Sequence, residues 1–86
     1  MICKDVFISD FHLKRSVQFV QKASQFQSDI IVRSENGETA NGKSILGLMS
    51  LNIHKKRITI EVKGPDERNA LSALMEIVEH KLNLNQ

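Results

Sequence analysis

Tryptophan and tyrosine are absent from this 86-residue chain, and cysteine and proline occur once each. Four phenylalanines, Phe7, Phe11, Phe19 and Phe26, are its only aromatics, so the stacking platforms of single-strand nucleic-acid binders are not evident. The lone Cys3 excludes an internal disulfide framework, and without a second cysteine or a histidine pair at ligand spacing no structural zinc is expected. That cysteine usage suits a reducing cytoplasm. No basic leader followed by an apolar run opens the sequence, and no stretch approaches bilayer length, so the chain reads as neither exported nor membrane-inserted. Charge of one sign is missing too: 12 basic and 10 acidic residues leave a net +2 with no long block, which argues against a chain dedicated to direct nucleic-acid binding. What the chain does have is 41% hydrophobic residues, enough for one compact core, and residues 1–86 read as a single domain without repeat or linker.

The apolar residues are patterned. Residues 2–9, with Val6, Phe7 and Ile8, read as a short strand at an edge of a sheet or exchangeable, ending at Ser9-Asp10. Beyond His12, the apolar residues Val17, Phe19, Val20, Ala23 and Phe26 recur at three-and-four spacing and predict a helix over 13–27. Residues 29–33 are rich in β-branched residues, and Asn36-Gly37 supplies the left-handed conformations of a hairpin turn, so 38–40 should pair with them. Residues 45–51 are too apolar for a solvated loop and begin after Ser44, a favoured helix cap; a short, partly exposed helix is expected there. Residues 57–63 alternate, with Ile58, Ile60 and Val62 on one face, and Gly64-Pro65-Asp66 stops that strand. From Glu67, Ala70, Leu71, Leu74, Ile77, Val78, Lys81 and Leu82 recur at helical spacing, making this the longest helix. The order strand, helix, strand, strand, helix, strand, helix is an α+β pattern in which helices cover one face of an antiparallel sheet.

Two places carry candidate chemistry. His12 stands at the start of the first helix, where unpaired backbone N–H groups and the helix dipole favour an anion and keep the ring neutral and nucleophilic. Its imidazole is placed to accept a phosphoryl group, with Lys14 and Arg15 following at once to neutralise transferred charge. The alternative reading of these residues is a solvated histidine beside ordinary surface cations. Ser44 reads as an N-cap, and a phosphate added there would meet a favourable dipole. Ile45, Leu46, Leu48 and Met49 cannot all be buried on one short helix, so those left outside form an apolar docking patch rimmed by Lys43. The run Lys55-Lys56-Arg57 is too short to claim a nucleic-acid site, and neither His54 nor His80 has partners at ligand spacing.

The segment Asn41-Gly42-Lys43-Ser44-Ile45-Leu46-Gly47-Leu48-Met49-Ser50-Leu51 resembles the regulatory-serine segment of the HPr family, including its catabolite-repression branch, Crh. Phe19-Val20 followed by Ala23, the Asn36-Gly37 turn, and Gly64-Pro65-Asp66-Glu67 with Ala70-Leu71 resemble the family's other landmarks in the same order. The resemblance implies an open-faced β-sandwich, a four-stranded antiparallel sheet covered on one face by three helices. It implies a cytoplasmic phosphocarrier of the phosphoenolpyruvate-dependent sugar phosphotransferase system, without a cofactor or metal of its own. His12 would take a phosphoryl group from enzyme I and pass it to a sugar-specific EIIA domain, and HPr kinase/phosphorylase would phosphorylate Ser44. A Crh-like alternative makes the chain a regulatory module whose phosphorylated Ser44 creates a surface for catabolite control protein A; a monomer and a swapped dimer are both within the family's range. The histidine motif departs from the family's Gly-Leu/Ile-His-Ala/Thr-Arg-Pro-Ala: Asp10 replaces the glycine, Lys14 the phosphate-binding arginine and Arg15 the proline. Lysine lacks the planar fork that arginine offers a phosphate, and the missing proline removes a preset helix start.

Overall fold

The computed structural model describes residues 1–8, 13–51 and 56–79. Among them run β1 (Ile2–Ile8), α1 (Leu13–Ala23), β2 (Asp29–Ser34), β3 (Thr39–Asn41), α2 (Ile45–Ser50), β4 (Lys56–Lys63) and α3 (Glu67–Glu79). The strands form one antiparallel sheet in the order β1-β4-β2-β3, so the most regularly alternating strand in the sequence is central and β1 lies at an edge. Register aligns the apolar residues into rows: Val6 opposite Ile58, Ile60 opposite Val32, and Val62 opposite Ile30. A one-residue slip would turn every one of them to the other face, so this pattern fixes the pairing. All six are buried.

The helices lie on that apolar face. Ala70, Leu74 and Val78 of α3 and Phe19 and Ala23 of α1 are fully or almost fully buried against it, and α1 touches both α3 and α2. The result is an open-faced α+β sandwich: one face of the sheet is covered and the other is largely polar, with Phe7 exposed on it. On the open face Thr59 donates to Asp5 across the β1–β4 pair at 2.7 Å, and Arg33 meets Glu61 at 2.9 Å. The Arg33 guanidinium is held above its ordinary value, chiefly by its hydrogen bond to Glu61.

The end of the first helix and the position of the third strand differ from the sequence expectation. The first helix ends at Ala23 rather than at residue 27. Its last carbonyls turn to tighter bonds, Gln25 N–H to Lys22 and Phe26 N–H to Ala23, and the backbone beyond is claimed by Asp66. The buried stripe of α1 also includes Ser16, which an apolar periodicity cannot reveal, whereas Val17 and Val20 are only half-buried. Strand β3 is displaced by one residue because Glu38 closes the hairpin, its carbonyl accepting Ser34 N–H at 2.8 Å, with Gly37 at φ +92°. The expected far end of the last helix, with Lys81 and Leu82, lies outside the described residues.

Candidate functional site

The first element of the site is the start of α1. The helix begins at Leu13 and carries no acidic residue in its first turn, so nothing on that turn offsets the positive end of its dipole. Lys14 is exposed and Arg15 half-buried; as successive helical residues they point about 100° apart, so they do not form one fork. Leu13 is 56% exposed, an apolar side chain at the mouth of the helix. His12 and Asp10 lie outside the described residues, as do His54 and Lys55. Of the basic run, Arg57 is exposed on β4 opposite Phe7.

The second element is the start of α2. Ser44 sits in an extended conformation, its Oγ accepting Gly47 N–H at 3.0 Å and its carbonyl accepting Leu48 N–H at 3.0 Å. It is therefore the N-cap of this helix. The approach is organised by Asn41, whose side chain accepts Lys43 N–H at 2.9 Å and whose carbonyl accepts Ser44 N–H at 3.0 Å. Gly47 keeps this cap open, since a Cβ there would stand only 3.2 Å from the Ser44 Oγ.

The four apolar residues of α2 separate. Leu46 is 79% exposed and Met49 50%, while Ile45 is half-buried. Leu48 is only 2% exposed and belongs to the core with Leu51. It is removed from the expected docking patch, because a six-residue helix turns one stripe inward and Leu48 occupies it. Lys43 is more than a rim charge: its Nζ donates to the Phe26 carbonyl at 2.8 Å, joining the start of α2 to the chain leaving α1.

A third cluster has no counterpart in the sequence reading beyond a strand stop and two acids near a helix start. The Asp66 carboxylate accepts Gln27 N–H at 2.9 Å, Ser28 N–H at 3.0 Å and the hydroxyl of the buried Ser28 at 2.5 Å. The Ser28 hydroxyl, then the Gln27 amide, hold this carboxylate below the usual range. Glu67 accepts Gly64 N–H at 3.1 Å and meets the Met1 ammonium at 3.4 Å; the Gly64 amide is the main reason its carboxyl is also lowered. No signal in a single sequence links residues 38 and 39 positions apart, so this clasp appears only in three dimensions. Among the described residues no group of three or more His, Cys, Asp or Glu is placed to hold a metal, and no helix is long and apolar enough to cross a membrane. A cavity of about 330 Å³ bordered by Asp29, Lys43, Glu61 and Lys63 lies at the sheet end where Asp29 pairs with Lys63, away from the Ile8–Lys56 end that precedes α1.

With this geometry in place, the comparisons are specific. The model described as PTS HPr component phosphorylation site matches residues 8–80. The phosphocarrier protein HPr of Neisseria meningitidis serogroup A is 43% identical over 68 residues, which cover 78% of this chain and 75% of that protein. The structure of HPr-C-His from Thermoanaerobacter tengcongensis superimposes with a TM-score of 0.88 at 32% identity, covering all of both chains. Bacillus subtilis Crh, solved as a domain-swapped dimer, gives a TM-score of 0.75 at 32% identity over 88% of this chain and 86% of that one. The family match spans most of the sequence, and strands β2 to β4 and the capped second helix lie within it: the chain belongs to the HPr family of phosphocarrier proteins.

Proposed function

We propose that the chain is a cytoplasmic phosphocarrier of the phosphoenolpyruvate-dependent sugar phosphotransferase system, with His12 as phosphoryl acceptor. The observation that carries this reading is the coincidence of the phosphorylation-site match with a helix that starts at Leu13, directly after His12 in the chain. In the proposed step, a ring nitrogen of neutral His12 bonds to phosphorus as the bond to enzyme I breaks and enzyme I keeps the electron pair. The same exchange then delivers the group to a sugar-specific EIIA domain. The first turn of an α-helix carries backbone N–H groups that the helix itself does not pair, the kind of donor that suits phosphoryl oxygens. Lys14 supplies a compact positive charge, with Arg15 on the adjoining side of the helix. The exchange calls for no cofactor. Incubation with enzyme I and phosphoenolpyruvate is expected to yield acid-labile phosphate that His12→Ala abolishes; no label, or label that survives the substitution, overturns the assignment.

A second reading is favoured by the build of α2. Ser44 caps the helix, and Lys43, Ile45, Leu46 and Met49 surround it with a charge and partly exposed apolar side chains. This supports phosphorylation of Ser44 by HPr kinase/phosphorylase and, as in a Crh-like regulator, docking on catabolite control protein A. Incubation with the kinase and ATP should add acid-stable phosphate that Ser44→Ala removes. Unlabelled wild-type chain would eliminate this regulation. The edge position of β1 is compatible with a monomer and with a strand-exchanged dimer, which sedimentation distinguishes.

A further inference from the structure

The chain between α1 and β2, residues 24–28, is tied from two sides. Asp66 holds the amides of Gln27 and Ser28 from the β4–α3 turn. Lys43 holds the carbonyl of Phe26 from the β3–α2 turn, through a partly buried hydrogen bond spanning 17 positions. Lys43 is also the immediate neighbour of Ser44, and the six residues of α2 include no charged side chain. The cation adjacent to Ser44 is therefore already engaged, on a neutral acceptor.

Resting on the reading of Ser44 as a phosphorylated residue, we propose that Lys43 is a latch opened by phosphoserine at position 44: its ammonium leaves the Phe26 carbonyl for the phosphate, and the end of α1 registers the modification. The two acceptors are unequal. A carbonyl is an uncharged partner, whereas a phosphoserine carries about −1.5 to −2 charges and three strong acceptor oxygens, so the ammonium gains a Coulombic attraction to the phosphate that the carbonyl does not offer. The reach is short, because consecutive Cα atoms stand about 3.8 Å apart and the lysine ammonium rides on a flexible stem. The carbonyl left behind lies past the last regular turn of α1, where Phe26 N–H already takes an i−3 partner, so water can replace the ammonium. Asp66 continues to grip Gln27 and Ser28, confining the change to the Phe26–Gln27 peptide and to the Phe26 ring, which packs at the margin of the core.

The test uses the full chain with phosphoserine placed at 44 by semisynthesis, so that no kinase is involved, and compares it with the unmodified chain by NMR. The expected result is a shift of the Phe26 carbonyl carbon and the Gln27 amide, together with a shift of the Lys43 ammonium nitrogen. In Lys43→Met, which keeps an apolar stem, the Phe26 and Gln27 signals should already be displaced, and phosphoserine should move only those from Ser44 to Gly47. Unchanged Phe26 and Gln27 signals on phosphorylation overturn the latch, as do shifts that persist in full in Lys43→Met. Because the phosphate is installed chemically, failure of the kinase to label wild-type chain removes Ser44 as its substrate without bearing on the latch.

Discussion

The turns into α3 and α2 both start a helix, but they are tied to the molecule in different ways. At the α3 start, Asp66 and Glu67 reach outward, to Gln27, Ser28 and the Met1 ammonium, so that three separate parts of the chain meet there. At the α2 start, nearly every side-chain bond is local: Asn41 to Lys43, and Ser44 to Gly47. The Lys43–Phe26 bond is the long-range side-chain tie. The first turn closes the fold, whereas the second presents a hydroxyl and apolar side chains whose chemistry can change without unpacking the sheet.

The comparison breaks most visibly at Gly64. Its φ of +154° disfavours a side chain, and an added Cβ would stand 2.6 Å from Ser28 Cα and 2.5 Å from Ser28 Oγ. Gly64→Ala is expected to cost about 2–4 kcal/mol, read from urea unfolding, because strained backbone and overpacking combine. A change of less than about 1 kcal/mol would show that this turn is not tightly constrained.

Acid sharpens the same contrast. Both Asp66 and Glu67 have folded pKa values below their ordinary ones. Their contribution is thus fully present above the unfolded carboxylate pKa of about 4 and is lost as pH falls through the folded values. Asp66→Asn should lower stability at neutral pH and flatten the fall in stability below pH 4; an acid limb as steep as in wild type would count against the clasp. At the other turn, Ser44→Ala should cost about 1 kcal/mol through the lost cap, with Ser44→Asp restoring most of it. Equal melting temperatures for all three chains would argue that the cap is not stabilising. The smallest effect belongs to Leu46→Gln, at a side chain 79% exposed, which should change stability by less than about 0.5 kcal/mol while weakening docking of the Ser44-phosphorylated chain onto catabolite control protein A in titration calorimetry. Undiminished binding would remove Leu46 from the proposed interface.

Much of the scaffold was legible in the chain. Alternation at Ile58, Ile60 and Val62 named the central strand's buried face, and Ser44 ahead of an apolar run announced a capped helix, because both signals are local and periodic. The end of α1 was misplaced, since Phe26 continues an apolar period while Asp66 holds the next two amides from 39 and 38 positions away. Leu48 was grouped with Leu46 and Met49 because composition cannot assign an inward side on a helix of six residues.

By itself, the sequence determined the order of elements, the α+β class, the family landmarks and the position of His12 immediately ahead of a helix. Tertiary structure alone decided that Ser28 and Asp66 meet, that Lys43 reaches Phe26, and which apolar residues of α2 face out. The reason is physical: local preferences and side-chain period act over a few residues, whereas pairing between distant polar groups exists only after the sheet and helices bring them within hydrogen-bonding range.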